Sequence, residues 1–205
     1  MSATPDLPDA LRLQASDALV VVDVQRDFLP GGALAVPDGD RMVPALQRYL
    51  ERFEHLGRTI IFTRDWHPAD HVSFHAQGGP WPPHCVVGQP GAEFAPGLRL
   101  PTSAMVLSKA TRPDAEAYSG FEGTDLAARL RQQGVKRLLV GGLATDYCVR
   151  ATVLDALREG FEVLLLVDAI RPVDLQPGDG ERAIQSMLQA GALPVRFEQL
   201  AGESA

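Results

Sequence analysis

The chain alternates between short apolar runs and amphipathic stretches. The run "ALVVVDV" at 18–24 is continuously apolar up to Asp23, which is typical of a strand buried on both faces of a parallel sheet. Apolar residues at helical spacing over 42–57 predict a helix that ends at a glycine. The same alternation predicts further strands at 58–65, 104–110, 135–142, 161–170 and 192–198, and further helices at 124–134, 145–160 and 178–191.

This order of elements predicts the fold class α/β, a three-layer α/β/α arrangement with a central, mainly parallel six-stranded sheet. We find no repeat, low-complexity tract or linker, so we expect a single domain over residues 1–205, with 1–17 as a short N-terminal extension. Residues 66–102 contain many Pro and Gly and show no periodicity. A loop of that length inside a compact domain is usually functional.

Composition narrows the function classes. Apolar residues make up 45% of the chain and charged residues 22%, as in ordinary globular proteins. The net charge of −7 argues against a nucleic-acid partner, which needs a basic face, and no apolar run approaches the length of a membrane span. The first residues lack the apolar segment of a signal peptide, so we expect a reduced, cytoplasmic protein without a structural disulfide. The composition does not determine the oligomeric state, and a homo-oligomer is one of the alternatives.

Reactive side chains follow four of the predicted strands. Asp23, Asp65, Lys109 and Cys148 all fall at or just beyond strand carboxyl ends, where open α/β sheets form their sites. Cys148 lies in "ATDYCVR", at the start of a predicted helix, where free N–H groups favour a thiolate. The alternative interpretation is a packed cysteine, since a free Cys is often a small buried apolar residue.

Asp23 and Lys109 are candidates to assist that cysteine. A partly desolvated carboxylate has a raised pKa and can accept a thiol proton, and a nearby cation would hold both the thiolate and the carboxylate. The alternatives are an Asp that caps a loop and a Lys that extends to the surface.

Four of the chain's five histidines lie between residues 67 and 84. Asp65 and His67 alternate along an extended segment, so both can face one side. A carboxylate with imidazoles suits a divalent metal such as Zn²⁺, Mn²⁺ or Fe²⁺. The alternative is a polar loop with solvated histidines, and His75 is interpreted as such a residue.

Several longer segments together resemble the nicotinamidases (pyrazinamidases) of the isochorismatase-like cysteine hydrolases. The segments are "VVDVQRDFLPGGAL", "TRDWHPADHVSF", "GGPWPPHCVVGQPGAEF", "AYSGFEGTDL" and "VGGLATDYCVRATVLDA". They occur in the family's order, from about Leu19 to Ala192. The resemblance implies a central parallel sheet with helices on both sides, and metal-dependent hydrolysis of nicotinamide (with pyrazinamide) to the acid and ammonia through a cysteine thioester.

The resemblance also implies roles for individual residues. Asp23, Lys109 and Cys148 match the catalytic triad, and the backbone N–H groups of Ala144 and Cys148 match an oxyanion hole that follows a cis peptide at Leu143–Ala144. The residues that match a divalent metal site (zinc, with manganese or iron as alternatives) are Asp65, His67 and His84. His71 matches a position that ligates the metal in some members only. The positions that match the walls of the pocket are Phe28, Leu34, Trp81, Tyr118 and Tyr147, of which Tyr147 is His in some relatives.

Two other function classes remain. One is a different amide hydrolase of the same superfamily, acting on a carbamoyl or ureido group, or an isochorismatase. Such enzymes have no pyridine substrate and no use for the Asp65, His67 and His84 set. The other is a non-catalytic metal-binding or nucleotide-binding module. The sequence argues against this class, because it contains neither a G-x-G-x-x-G motif nor a P-loop.

Overall fold

Parallel strands form the centre of the structure. The computed structural model describes residues 11–201, and within them one six-stranded sheet has the order β3-β2-β1-β4-β5-β6, with every neighbouring pair parallel. The strands are Asp17–Val22 (β1), Thr59–Asp65 (β2), Met105–Lys109 (β3), Arg137–Leu143 (β4), Glu162–Arg171 (β5) and Leu193–Val195 (β6).

Helices cover both faces of this sheet. They are Val43–His55 (α1), Leu126–Gln132 (α2), Arg150–Arg158 (α3) and Asp179–Gln189 (α4). Alternate residues of β1 enter two separate apolar clusters, one containing Leu19 and the buried side of α1, the other containing Val20 and the buried sides of α2, α3 and α4. This division confirms the three-layer α/β/α prediction. None of the helices between residues 11 and 201 is long and apolar enough to cross a membrane.

Most element boundaries differ from the predicted ones by one or two residues, and two elements differ by more. The predicted helix at 145–160 is divided, because Thr145–Val149 forms a π-helical turn before α3 begins at Arg150. The predicted last strand at 192–198 is shortened to β6 and is followed by a 3₁₀ turn at Phe197–Gln199. Helical hydrophobic spacing does not distinguish a π turn from an α turn over five residues, so the first difference could not be predicted from the pattern.

Part of the expected N-terminal extension packs against the domain. Residues 1–10 of the predicted segment 1–17 lie outside the described residues. Leu11 pairs with Leu200 in an isolated parallel bridge, and Asp17 is the first residue of β1. Asp17 also forms a buried, two-pronged ion pair with Arg137 on β4, with N–O distances of 2.9 and 2.7 Å. Residues 11–17 therefore contribute to the sheet and its edge contacts.

The strand order places a crevice between β1 and β4. The chain runs from β1 to β2 and β3 on one side, then returns to β4 on the other side of β1, and such switch points are where open α/β sheets bind ligands. Gly142 lets the two strands approach closely at this end. Its φ is +132°, and a Cβ there would lie 2.1 Å from the carbonyl oxygen of Val22, so only glycine fits.

Candidate active site

Lys109 is the centre of a buried polar cluster at the carboxyl edge of the sheet. Its Nζ lies 2.9 Å from Oδ2 of Asp23, 2.5 Å from Oδ1 of Asp65 and 3.5 Å from Sγ of Cys148. It also donates a 3.0 Å hydrogen bond to the carbonyl of Ala117. Lys109 is 1% exposed, so the interpretation as a surface-reaching lysine is wrong. Strands β2 and β3 bring the cation and Asp65 together, since the two residues are register partners.

Burial and charge set the protonation states in this cluster. Burial raises the pKa of Asp23 to about 6, although the Lys109 charge opposes the shift. Burial by itself would lower the pKa of Lys109, but the carboxylates of Asp23 and Asp65 outweigh burial and raise that pKa well above its usual range. At pH 7 the cluster therefore holds an ammonium group between two carboxylates.

Cys148 is a thiol in this arrangement. Burial raises the pKa of Cys148 well above its usual range, and the adjacent carboxylates add to this effect while Lys109 only partly offsets it. This effect opposes the thiolate that a helix N-terminus was predicted to favour. Cys148 lies inside the π-helical turn Thr145–Val149, ahead of α3, and two carboxylates lie within 4.8 Å of its sulfur. A thiol in these surroundings needs a base at the moment it reacts.

Asp23 is well placed to be that base. The residue follows β1 directly and has a φ of +46°, in the left-handed region that Asp tolerates better than most residues. Oδ1 of Asp23 accepts a 2.7 Å hydrogen bond from the hydroxyl of Thr63, while Oδ2 faces Lys109. Apart from the 2.9 Å ion pair with Lys109, Oδ2 has no partner of good hydrogen-bond geometry within the described residues, which leaves this oxygen to receive a proton.

A second cluster unites Asp65, His67 and His84. One potential ligand atom from each lies within 4.8 Å of the other two. Nδ1 of His67 lies 2.9 Å from the carbonyl of His84, and Nδ1 of His84 lies 2.8 Å from the carbonyl of Pro82. In both rings, Nδ1–H therefore donates to a carbonyl, which leaves the Nε2 lone pair unused, as in histidines that ligate metals.

Further features of this second cluster fit a divalent cation. Nε2 of His67 is buried and has no hydrogen-bond partner among residues 11–201. Burial lowers the pKa of His67 to about 4, so the ring is neutral at pH 7, which is the ligating form. Burial would raise the pKa of Asp65, but the Lys109 charge and the neighbouring histidines lower it, so this carboxylate is ionised. The donor set of two imidazoles and one carboxylate suits zinc and related ions.

The other two histidines of this loop differ from that pair. His71 stacks beside His67 with ring centroids 4.3 Å apart, but both of its ring nitrogens are engaged, Nδ1 with the Ser73 hydroxyl at 2.7 Å and Nε2 with the Ala115 carbonyl at 3.0 Å. His71 therefore presents no free ligand atom in this arrangement. His75 is exposed, as its interpretation as a solvated histidine predicts.

Cys148 of the first cluster and all three residues of the second cluster line one cavity, which is partly open to solvent. Ala144 lines this cavity as well. The peptide bond between Leu143 and Ala144 is cis, as the resemblance implied. The sequence-predicted wall residues all line this cavity, namely Phe28, Leu34, Trp81, Tyr118 and Tyr147.

Aromatic contacts hold one wall of the cavity in place. The Trp81 and Tyr147 rings meet edge to face with centroids 5.2 Å apart, and Trp81 Nε1 donates a 2.9 Å hydrogen bond to the Tyr118 hydroxyl. Phe28, another residue of the cavity lining, packs against the His84 ring with centroids 5.6 Å apart. A narrow, mostly apolar cavity with polar groups at defined points suits a small ring-shaped ligand.

Sequence reasoning missed several residues of the site. Val36, Glu116 and Val173 also line the cavity, although they lie in loops whose patterns gave no sign of it. Thr63 and Gln25 lie behind the walls and contact the two acidic residues of the clusters. Their only available signal was their presence within "TRDWH" and "VVDVQRDF", next to residues already singled out.

Both the sequence and the fold are similar to those of known proteins. The sequence matches the isochorismatase domain over residues 17–199. The nicotinamidase of Escherichia coli strain K12 is 40% identical over 196 residues, covering 85% of this chain and 92% of the relative. The crystal structure of the pyrazinamidase of Pyrococcus horikoshii in complex with zinc has a TM-score of 0.86 and 56% identity, covering 89% of this chain and 99% of that one.

A further solved structure is similar along nearly the whole chain. PnC1 from L. infantum, in complex with nicotinate, has a TM-score of 0.86 and 33% identity, covering 95% of this chain and 100% of that one. The match over residues 17–199 and the sequence identity to the E. coli relative show that this chain belongs to the isochorismatase family.

Proposed function

We propose that this protein is a nicotinamidase, which hydrolyses nicotinamide to nicotinate and ammonia and accepts pyrazinamide as well. The observation that carries the proposal is one cavity that is lined both by Cys148, beside which Asp23 and Lys109 lie, and by Asp65, His67 and His84. The first cluster suits an amide carbonyl and the second suits a ring nitrogen. Relatives named as nicotinamidases and pyrazinamidases support the same assignment.

In the proposed reaction, Cys148 is the nucleophile. Its sulfur attacks the amide carbon while Asp23 takes the thiol proton, because the thiol is not ionised beforehand. The backbone N–H groups of Ala144 and Cys148 stabilise the oxyanion; removing one such donor costs on the order of 10²–10³ in rate. The C–N bond then breaks, and Asp23 passes its proton to the departing ammonia.

A thioester remains on Cys148, and water completes the reaction. Asp23, again a carboxylate, accepts a proton from the water as its oxygen attacks the thioester carbon. The C–S bond breaks, the proton returns to the sulfur and nicotinate leaves, so the net change is amide plus water to acid plus ammonia. Lys109 is proposed to hold Asp23 and Cys148 in place, since it contacts both.

The proposed cofactor is one divalent metal ion held by Asp65, His67 and His84, and zinc is the ion that we propose. When bound, the ion supplies a Lewis acid that can accept the pyridine nitrogen of the substrate. The structural contribution of the protein is to present two Nε2 lone pairs and one ionised carboxylate beside the cavity. We also propose a cytoplasmic location, which is consistent with two free, buried cysteines.

An ammonia-release assay tests the proposed function. The purified protein should release ammonia and nicotinate from nicotinamide, and a chelator should suppress the release until zinc is restored. Cys148→Ala should lose at least about 10³-fold in kcat, as expected for a covalent nucleophile. Cys85→Ala is the matched control, because Cys85 is equally buried but does not line the cavity. Absence of turnover in the zinc-loaded protein, or full activity of Cys148→Ala, would contradict the proposal.

A further inference from the structure

Strand β1 leaves the sheet before its neighbour β2 ends. The pairing between them runs to Val21 and Phe62, and the N–H of Asp23 still donates to the carbonyl of Thr63 at 3.2 Å. Asp23 then turns the chain away with a φ of +46°. In a parallel sheet, alternate residues direct both backbone polar groups towards the same neighbour. The N–H and C=O of Asp65, two residues after Thr63, therefore face space that β1 no longer fills.

The side chain of Gln25 occupies that space. Its Oε1 accepts a 2.8 Å hydrogen bond from the N–H of Asp65, and its Nε2 donates to the carbonyl of Asp65 at 2.8 Å. Nε2 also donates to the carbonyl of Ala92 at 3.0 Å. Gln25 is completely buried. The carboxamide thus replaces the missing strand, with one acceptor and one donor directed at the same residue, as a peptide group would be.

The residue held in this way joins the two clusters of the site. Asp65 contacts Lys109 through Oδ1, and one of its carboxylate oxygens lies within 4.8 Å of ligand atoms of His67 and His84. It is the last residue of β2, so pairing on the β1 side depends on Gln25. On the β3 side, the next residue, Trp66, donates to the carbonyl of Lys109 at 3.1 Å.

We propose that Gln25 is a positioning residue for the metal site, which fixes the backbone of Asp65 so that its carboxylate is presented to the ion. The proposal rests on the function proposed above only in assuming that Asp65 is a metal ligand. Gln25 itself does not line the cavity. Outer partners that orient a ligand typically change metal affinity about 10- to 100-fold when removed.

Zinc affinity of the full-length protein, measured by competition with a chromogenic chelator, tests this role. Gln25→Met keeps the length and most of the volume of the side chain but removes all three hydrogen bonds, so zinc affinity should fall by about 10- to 100-fold. Gln25→Glu keeps the acceptor for the Asp65 N–H but loses the donor, so it should also weaken zinc binding. If Gln25→Met does not fold, the zinc affinity of Gln25→Glu tests the role instead.

Asp17→Asn is the matched control for general destabilisation. Asp17 is buried in the same sheet but lies at the opposite end of β1 and pairs with Arg137. This variant should lower the midpoint of thermal unfolding yet keep wild-type zinc affinity. Wild-type zinc affinity in a folded Gln25 variant, or an equal loss in Asp17→Asn, would overturn the positioning role. Because zinc binding is measured without substrate, this outcome is independent of whether the wild type hydrolyses nicotinamide.

Discussion

The hydroxyl of Thr63 donates a 2.7 Å hydrogen bond to Oδ1 of Asp23, which leaves Oδ2 directed at Lys109. Both Thr63 and Asp23 are completely buried, so water cannot replace this bond. It favours the ionised form of a carboxyl group whose pKa burial has raised to about 6. Thr63 therefore affects the pH range in which Asp23 can accept a proton.

Removing that hydroxyl should move the acid limb of the pH profile. The proposed reaction needs Asp23 as a carboxylate, so kcat/KM should fall as the pH decreases through about 6, the pKa of Asp23. Thr63→Val keeps the side-chain shape but loses the donor, which raises the pKa of Asp23 further and shifts the acid limb to higher pH. A hydrogen bond to a charged group contributes about 1.5–3 kcal/mol and one pKa unit corresponds to about 1.4 kcal/mol, so we expect a shift of about one to two units.

The pH dependence of kcat/KM for nicotinamide measures this shift. Thr63→Ser keeps a hydroxyl and should retain an acid limb near that of the wild type. If Thr63→Val and the wild type show the same limb, Asp23 is not the group whose ionisation controls activity at low pH.

The hydrophobic pattern was enough to predict the layers of the fold. Continuous apolar runs such as the one at 18–24 predicted buried parallel strands, and β1 is buried on both faces between two helical layers. The pattern also predicted that Asp23 and Lys109 would share an edge, because strand carboxyl ends meet there. The distances between them required the strand order and register, which the pattern does not contain.

The remaining features of the site depend on contacts between distant segments. Gln25 and Asp65 are 40 positions apart, and only the early departure of β1 from the sheet explains their pairing. The high pKa of the Cys148 thiol follows from burial beside two carboxylates, whereas the local sequence indicated only a helix start. Local patterns therefore located the reactive residues but did not give their protonation states.

The ion pair between Asp17 and Arg137 should contribute to stability but not to catalysis. Both groups are buried at the amino ends of β1 and β4, and Asp17→Asn would leave the Arg137 charge without its partner. Breaking a buried pair typically costs about 3–5 kcal/mol, so we expect the free energy of unfolding to decrease by about 3 kcal/mol. Urea denaturation measures this change. A decrease below about 1 kcal/mol, or a loss of kcat at temperatures where the variant is folded, would contradict the expectation.

Zinc affinity should distinguish His84 from His71. Nε2 of His84 is not engaged by the protein, because Nδ1 makes its ring hydrogen bond, whereas both ring nitrogens of His71 bond to protein groups. His84→Ala should therefore lower zinc affinity by more than about 100-fold, and His71→Ala by less than about tenfold. Competition with a chromogenic chelator measures both. An equally large loss for His71→Ala would mean that His71 exchanges its present partners for the metal.

The last prediction concerns the use of the metal, which separates a nicotinamidase from other amide hydrolases of the family. If the ion binds the pyridine nitrogen, His84→Ala should raise KM for nicotinamide strongly. The variant should have a much smaller effect on benzamide, a poor substrate with the same ring shape but no ring nitrogen. The chemistry at Cys148 should be less affected in both cases, since Lys109 contacts both Cys148 and Asp23, whereas His84 belongs to the other cluster. Measuring kcat and KM for both amides, on wild type and on His84→Ala, gives the two ratios. An equal proportional loss of kcat/KM for the two amides would show that the metal site does something other than hold the ring.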